Sequence, residues 1–448
     1  MIELTSDALS YAQEHGAEYV EVRGETTEFL DVMVEDKGVI HSIGGLYNGV
    51  GIRAFYGSGK GYSSTSFITK TSIERAVEEA VRMAKASNFG STKVKALEGR
   101  VENIKASMKQ DPREVESEEK IKDLLGLVRG VGKSLSANYV RLHYIERYED
   151  RTVATNYGLR LRGIKPSIWI GIEGYGGDGW NLIYEDGAVG GWETFKAIKK
   201  NLESFTQDLN TQPTDQEAES LVLSPRASSQ LFGDAILPRF ILPSESNYTR
   251  LPIASLNAVD DPTDQQAYGF MPFDDEGVQG IPKELIKEGN LVGALTTRTI
   301  DENGGRARAQ DFVHEPGPAN TFTKITFAEK DSLPQSYYYV PYIYSIGNYN
   351  TVSDLMIYSP MTTVFKGGSP VGGKRLMIKI NLDKLKVAGV EGSFNAFGCV
   401  RELGGGLIPI TQGSEATVIG GASLDRRPIG VSGRNGGIRR RKAGGRRS

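Results

Sequence analysis

The chain of 448 residues is longer than one hydrophobic core usually serves, so two domains are expected. Its hydrophobic content of 39% and charged content of 24% are typical of a soluble protein, and no apolar run is long enough for a membrane span or a secretion signal. The single cysteine, Cys399, excludes an internal disulfide and a multi-thiolate metal site, so a cytoplasmic location is the expectation.

Charge is distributed unevenly along the chain. Residues 425–448 contain nine Lys or Arg and one Asp, and since the whole chain has a net charge of -3, the preceding part carries about -11. The Gly/Arg composition of this basic tail predicts that it is disordered or non-native. Because phosphate binding requires clustered positive charge, nucleic-acid binding is not expected outside the tail.

The first half of the chain shows the same series of elements twice. Helical spacing of apolar residues and strand-like alternation predict one helix–strands–helix series, followed by a second. The first has helices at 6–15 and 71–86 and strands at 19–23, 29–35 and 49–56. The second has helices at 117–133 and 192–205 and strands at 139–147, 152–155, 159–163 and 167–174. One supersecondary unit present twice, in a domain of residues 1–205, is the economical interpretation.

Three alternating glycines, Gly57, Gly59 and Gly61, invite comparison with a phosphate-binding loop. They lack the lysine–serine ending of such a loop and the glycine spacing of a dinucleotide-binding motif. We therefore assign them to a hairpin turn.

The second half is predicted to be mostly strand and turn. A polar linker at 206–218 leads into a domain at 219–424, in which proline and glycine recur every eight to twelve residues. Predicted elements include a helix at 227–237 and strands at 221–225, 291–298, 374–380 and 407–410. The predicted fold class is α+β: a duplicated helix–strand domain followed by a β-rich domain of sandwich or barrel type.

Three adjacent carboxylates, Asp274, Asp275 and Glu276, lie in a stretch rich in turn residues. Because like charges repel, each must have hydrogen-bond donors or cations nearby to remain ionised. Two interpretations remain open. The stretch is a self-capping turn that leads into the strand at 291–298, or it is the wall of a cleft that contacts a peptide or a partner chain.

An aromatic run from Tyr337 to Tyr344 predicts a strand whose rings alternate between two faces. Under one interpretation the rings only fill the core. Under the other, one set of rings, with Tyr338 and Tyr342, lines a groove for an extended ligand.

Several of these stretches together resemble the central signature of the TldD/PmbA family, the so-called modulators of DNA gyrase, which are implicated in peptide proteolysis. The matching stretches are Ala258-Val259-Asp260-Asp261-Pro262, Tyr268-Gly269, Pro272-Phe273-Asp274-Asp275-Glu276-Gly277 and Leu285-Ile286-Lys287-Glu288-Gly289. The resemblance implies two duplicated α+β units in the first domain and a β-rich second domain, in agreement with the element order above.

Catalytic members of the family carry His-Glu-x-x-x-His on the first helix of the second domain, and a late cysteine completes their metal site. The resemblance places Gly233 and Pro238 at the two histidine positions and Asp234 at the position of the base. Glycine and proline have no side-chain donor for a metal. We therefore expect no catalytic, cofactor-binding or metal-binding residue here, and we interpret Cys399 as a buried, inert thiol.

The four histidines, His15, His41, His143 and His314, are far apart in the sequence. None has another histidine or cysteine at ligand spacing, so each is interpreted as structural or solvated.

The chain is therefore similar to the metal-less branch of the family, typified by PmbA, also called TldE. This resemblance implies a non-catalytic subunit that pairs with a TldD-like, zinc-bearing paralogue and helps to process peptides. Asp274, Asp275, Glu276, Tyr338 and Tyr342 would then face a shared peptide chamber. The alternative is a homo-oligomeric module that binds peptides or a partner and has no protease activity. Whether the chain is an enzyme stays open.

Overall fold

The computed structural model describes residues 2–87, 94–177, 179–209, 211–241, 249–348, 353–403 and 406–425. The basic tail beyond Asp425, about which the sequence predicted disorder or a non-native origin, lies outside these ranges. Within them, no helix is both long enough and apolar enough to cross a membrane.

The helices and strands of the first half are as follows. The helices are α1 (Ile2–Glu14), α2 (Lys70–Ala86), α3 (Ser117–Ser134) and α4 (Trp192–Leu209). The strands are β1 (Tyr19–Glu35), β2 (Gly38–Tyr56), β3 (Gly59–Thr65), β4 (Val101–Lys105), β5 (Tyr139–Thr155), β6 (Arg160–Tyr175) and β7 (Asn181–Val189). A 3₁₀ turn, Pro112–Glu114, precedes α3.

The second half contains two short helices, α5 (Pro225–Ser229) and α6 (Pro238–Ile241), with a π-helical turn, Gln230–Ile236, between them, and a 3₁₀ turn, Leu382–Lys384. Its first strands are β8 (Ser220–Leu223), β9 (Leu256–Asp260), β10 (Lys283–Lys287), β11 (Asn290–Leu291), β12 (Ala307–Arg308), β13 (Gly317–Pro318), β14 (Phe322–Phe327) and β15 (Ser336–Val340). The others are β16 (Ser345–Asn348), β17 (Asp354–Lys366), β18 (Ser369–Asn381), β19 (Lys386–Gly389), β20 (Asn395–Leu403), β21 (Gly406–Ser414), β22 (Thr417–Gly420) and β23 (Ser423–Asp425).

One seven-stranded sheet joins the two predicted units of the first half. Its order is β3-β2-β1-β5-β6-β4, with β7 also paired to β6, and β1 and β5 run antiparallel at its centre. Helices α1 and α2 accompany the first unit, and α3 and α4 accompany the second. The predicted duplication is therefore confirmed, and the two copies are joined by the pairing of β1 with β5.

The strands of this sheet are longer than the sequence predicted. Strand β1 runs without interruption through residues 24–28, whereas the sequence predicts separate strands at 19–23 and 29–35. The polar side chains in that segment are satisfied inside the sheet, because Thr27 donates to Glu25 at 2.9 Å and Arg151 lies 3.4 Å from the same carboxylate. Polar residues normally indicate that a strand ends, but here their side chains belong to a buried hydrogen-bond network.

Helix α2 lies directly on strand β3, and this contact explains the glycines of the β2–β3 hairpin. A Cβ atom at Gly61 would lie 2.0 Å from the carbonyl oxygen of Ala80, and one at Gly59 would lie 1.9 Å from that of Ala84. The hairpin assignment is confirmed, with Gly57 in the turn at a φ of +55°.

The second half is built around two larger sheets. One has the order β11-β10-β9-β14-β21-β20, and the other β19-β22-β8-β15-β17-β18-β23 with β16 paired to β17. Their buried faces share one core, which includes Phe232, Phe327 and Tyr338. The β-rich character of this half is confirmed.

Two predicted elements of this half are wrong. The strand at 291–298 ends at Leu291, because the backbone N–H groups of Val292 and Gly293 turn back to the carbonyl of Leu285. The helix at 227–237 is interrupted, because the N–H of Leu237 reaches five residues back to Phe232 at 2.7 Å and Pro238 has no N–H to continue the pattern.

We expect Gly61→Ala to destabilise the chain by about 1–3 kcal/mol, because the added methyl group must push α2 away from β3. Gly126→Ala is the matched control: Gly126 lies in α3 with nothing within 4 Å of its Cβ position, and the change should stabilise by about 0.5–1 kcal/mol. Urea unfolding of the two variants measures both. Equal stability of the two variants would contradict the close helix–strand contact.

Candidate functional site

The acidic stretch lies between β9 and β10 and packs against the amino-terminal sheet. Glu276 is fully buried, and its carboxylate contacts Arg53 of β2 at 2.5 Å and the backbone N–H of Arg298 at 2.6 Å. Arg53 also pairs with Glu21 of β1 at 2.8 Å through Nε. Arg298 completes the group, because its Nη1 lies 2.7 Å from Glu21.

These four residues form a buried ion cluster of two carboxylates and two guanidinium groups. Each is at most 3% exposed, so desolvation is large and is offset only because every charge has an opposite partner. Burial raises the pKa of Glu21, while Arg53 and Arg298 favour its ionised form. The cluster connects the first two strands of the chain to loops of the second half.

Asp274 closes a turn on itself. Its carboxylate accepts backbone N–H bonds from Glu276 at 3.0 Å, Val278 at 2.9 Å and Ala307 at 3.0 Å. Burial and the neighbouring Glu276 carboxylate raise the pKa of Asp274 to about 8, and the backbone donors oppose that rise. The self-capping interpretation of this stretch describes Asp274 well.

Asp275 lines a small cavity of about 60 Å³, together with Arg151 and Arg308. Its carboxylate lies 3.6 Å from Arg151 and 3.5 Å from Arg23, and it accepts the N–H of Ala309 at 2.6 Å. A cavity of this size holds only a few water molecules. It has no room for a peptide.

The structure does not bring the five residues predicted for a peptide chamber to one place. Asp274 and Glu276 are buried, and their donors belong to the chain itself. Tyr338 and Tyr342 are buried as well: the Tyr338 hydroxyl bonds to Glu217, and the Tyr342 hydroxyl bonds to the carbonyl of Asn181. Strand β15 ends at Val340, so the predicted alternation does not reach Tyr342. The structure therefore places Asp274, Glu276 and Tyr342 in the interior, whereas Asp275 lines the 60 Å³ cavity and Tyr338 lines a separate pocket of about 430 Å³. The five residues do not line one groove.

The positions of the metallopeptidase motif lie beside a larger pocket of about 620 Å³. Asp234 and Pro238 line this motif pocket, together with Glu185, Arg401 and strand β16. Gly233 lies in the π-helical turn, and a Cβ atom there would lie 3.0 Å from the Gln412 side chain.

Asp234 is held by an arginine. Nε and Nη2 of Arg401 each lie 2.8 Å from one of its carboxylate oxygens, and Gln412 donates to the same group at 2.6 Å. The remaining Arg401 donor, Nη1, contacts Glu185 at 2.9 Å. This forked pair fixes a permanent positive charge at the carboxylate.

The residues of the motif pocket do not fit a catalytic metal ion. Two neutral imidazoles and a third ligand would be needed, but Gly233 and Pro238 provide no donor, and Arg401 already occupies Asp234. Cys399 is fully buried, and burial raises the pKa of its thiol well above the ordinary value. The thiol packs in a small core with Phe397, Ile408 and Ile410 and does not line the motif pocket.

Three side chains that the sequence did not connect lie together on the amino-terminal sheet. His41 and His143 both place Nε2 2.8 Å from Oδ1 of Asp31. Within the described ranges this is the only group of three or more His, Cys, Asp or Glu side chains whose candidate ligand atoms all lie within 4.8 Å of one another. The folded sheet thus brings together two histidines that are far apart in the sequence; their interpretation as structural or solvated stays a prediction. The ring of His314 bonds to Asp311 at 2.8 Å. The ring of His15 bonds to the carbonyl of Tyr11 at 2.8 Å and lies 4.1 Å from the Tyr11 ring.

A duplicated helix–strand sheet joined to a β-rich body defines the class of protein, and comparison with known sequences identifies the family. A model described as PmbA/TldA metallopeptidase domain 1 matches residues 20–84, and one described as the PmbA/TldA metallopeptidase C-terminal domain matches residues 219–385. Together they cover more than half of the chain. The chain belongs to the PmbA/TldD family.

Similar proteins include two archaeal metalloproteases. One, from Methanocaldococcus jannaschii, is 24% identical over 313 residues, which are 65% of this chain and 68% of the relative. The other, from Archaeoglobus fulgidus, is 24% identical over 257 residues, which are 52% of this chain and 59% of the relative.

Two crystal structures share the fold. TldE from Thermococcus kodakarensis superposes with a TM-score of 0.67 at 16% identity and covers 93% of this chain and 100% of its own. A candidate modulator of DNA gyrase from Bacteroides thetaiotaomicron gives 0.64 at 14% identity, over 93% and 98% of the two chains. At these identities the likeness concerns architecture alone.

We expect Glu276→Gln to destabilise the chain by about 3–5 kcal/mol, because Arg53 would keep its charge in a buried place and lose one of its two close carboxylate partners. Glu284→Gln is the control, since that side chain is 52% exposed and its loss should change stability by less than about 0.5 kcal/mol. Thermal and urea unfolding give both values. A tolerant Glu276→Gln would contradict the buried cluster.

The raised pKa of Asp274 gives a pH prediction with a definite sign. The folded state holds this proton up to about pH 8, whereas the unfolded chain releases it near pH 4, so this contribution to stability is lost as the pH rises between those values. Asp274→Asn removes the titration. The stability difference between wild type and variant should therefore shift against the wild type from pH 5 to pH 8. A pH-independent difference would show that Asp274 is ionised throughout.

Proposed function

We propose that the chain is a non-catalytic subunit of a metallopeptidase complex, in which a partner with the His-Glu-x-x-x-His motif supplies hydrolysis. The observation that carries this proposal is the forked pair between Arg401 and Asp234. Peptide hydrolysis by such a site needs an open metal position for water and a free carboxylate to take its proton. Here the carboxylate is engaged by a guanidinium group, and the flanking positions carry no imidazole.

The motif pocket offers a surface for an extended peptide. Strand β16, Ser345–Asn348, forms one wall and pairs only with β17 within the described residues, so its other edge carries unpaired backbone groups. An extended peptide could add to this edge, with Glu185 and Arg401 available for its side chains or termini. We therefore propose the motif pocket, rather than the buried acidic stretch, as the site of peptide binding.

Association with another chain is supported by an exposed edge of the amino-terminal sheet. Strand β3 pairs with β2 only at residues 50–56, so in the described structure residues 38–49 of β2 have a neighbour on one side only. This β2 edge carries exposed apolar side chains: Val39, Ile40, Ile43 and Leu46, at 43–60% exposure. A long apolar edge of this kind is a typical interaction surface.

The same edge could also accept a second copy of this chain, which gives the alternative of a homo-oligomeric binding module. The two functions differ in the identity of the partner and in the presence of peptidase activity. A cytoplasmic location suits either function, since the one thiol, Cys399, is free and buried.

The test is isolation of the complex at native expression level, followed by measurement of its mass and peptidase activity. We expect a paralogue with His-Glu-x-x-x-His to be recovered and the complex to hydrolyse unfolded peptides. The chain alone, supplied with zinc, should be no more active than its Asp234→Asn variant. Activity of the chain alone that Asp234→Asn abolishes would overturn the proposal, and recovery of this chain only would favour the alternative.

A variant pair tests the association surface in the same experiment. Leu46→Lys places a charge on the β2 edge and should reduce recovery of the partner at least tenfold. Leu333→Lys changes an equally apolar residue that is 48% exposed elsewhere on the chain, and it should leave recovery unchanged. Equal recovery with both variants would place the interface elsewhere.

A further inference from the structure

A second cluster of polar side chains lies on the amino-terminal sheet, in the cross-strand row that continues from His143 through Gly171 to Glu185 of the motif pocket. Asp31 is on β1, His41 on β2 and His143 on β5, so three neighbouring strands each contribute one side chain. The two Nε2 atoms are each 2.8 Å from the same carboxylate oxygen. The three side chains are about 30% exposed, which leaves them accessible to an ion and to water.

The register of the sheet brings these residues together. His41 and His143 are the two cross-strand partners of Met33, one on each side of β1. Asp31 is two residues before Met33 and therefore points to the same face. Val32 and Val34 point to the opposite face and are fully buried against the core that contains α3. The cluster is thus fixed by strand pairing and does not depend on a flexible loop.

The imidazoles are also held by aromatic contacts. The rings of His41 and His143 meet edge to face at 6.1 Å, and the ring of His143 meets that of Trp169 at 5.5 Å. Within the described residues, no Lys or Arg forms an ion pair with Asp31. The negative charge of the carboxylate is therefore balanced only by groups that can also ligate a metal ion.

The donor set and its geometry indicate the kind of ion. With metal–ligand distances of about 2.0–2.2 Å, atoms 2.8 Å apart subtend an angle of roughly 80–90° at the metal. Such angles belong to adjacent positions of an octahedron. The two Nε2 atoms lie within 4.8 Å of one another. Two histidines and one carboxylate would occupy three positions of an octahedron and leave three open.

We propose that Asp31, His41 and His143 form a binding site for a divalent first-row transition-metal ion of octahedral preference. Binding through Nε2 requires that each imidazole carry its proton on Nδ1, so the bonds from Nε2–H to Asp31 are exchanged for bonds to the metal. The open positions face solvent. The site shares no residue with the motif pocket, but His41 lies within residues 38–49 of β2, the edge proposed above as the association surface.

The experiment is a titration of the full-length, chelator-treated protein with Co²⁺ and with Ni²⁺, followed by calorimetry and by visible absorption of bound Co²⁺. We expect one equivalent to bind. His41→Gln and His143→Gln should each weaken binding at least tenfold, and the double variant should bind no ion. The variant His15→Gln/His314→Gln is the matched control, because it removes the same number of imidazoles and should keep wild-type affinity.

Trp169 supplies a local optical signal. Bound Co²⁺ should quench part of the tryptophan fluorescence, and Trp169→Phe should remove most of that change, since the other two tryptophans lie in the buried core. Circular dichroism of every variant establishes that it is folded. Unchanged stoichiometry and affinity in the folded double histidine variant would overturn the site, as would the absence of binding to the wild type. Loss of binding in Asp234→Asn alone would instead locate the metal in the motif pocket and contradict both proposals.

Discussion

The buried ion cluster of Glu21, Arg53, Glu276 and Arg298 constrains how the two halves of the chain fit together. None of its charges is stable in a nonpolar environment without the others, so β1, β2 and the acidic stretch must be positioned at the same time. Of the three adjacent carboxylates that stand out in the sequence, Glu276 belongs to this cluster and the other two lie beside it. The three carboxylates have different partners: Glu276 pairs with an arginine, Asp274 accepts backbone N–H bonds, and Asp275 does both.

The motif pocket is a cavity whose lining is organised around the Asp234 carboxylate. The forked contact from Arg401 keeps the Asp234 carboxylate ordered and supplies a positive charge in the cavity. Gln412 also bonds to this carboxylate and fills the space next to Gly233, so a larger residue there would displace it. Restoring a histidine at that position would therefore require more than one substitution.

Local patterns predicted the repeated helix–strand units, the hairpin glycines and the β-rich second half, because periodicity and turn chemistry depend on neighbouring residues. Local patterns predicted the wrong structure where contacts with residues far away in the sequence determine it. Polar residues 24–28 continue β1 because Arg151 satisfies Glu25. The chain leaves the sheet after Leu291 because Val292 and Gly293 both bond to the single carbonyl of Leu285 and the N–H of Leu295 bonds to Ile241. His41 and His143 could be joined only through the register of β1 with both neighbours. The identities of Gly233, Asp234 and Pro238 come from the sequence itself, whereas the contact of Asp234 with Arg401 required the fold.

The β2 edge has a consequence for the amount of this protein that a cell can hold. A stretch of twelve residues with a one-sided hydrogen-bond ladder and solvent-facing Ile and Leu side chains is a template for indiscriminate strand addition. Copies made in excess of whatever covers this edge would be prone to aggregate or to be degraded. Under the proposed association, balanced synthesis of the chain and its partner is then a matter of colloidal stability as well as of function.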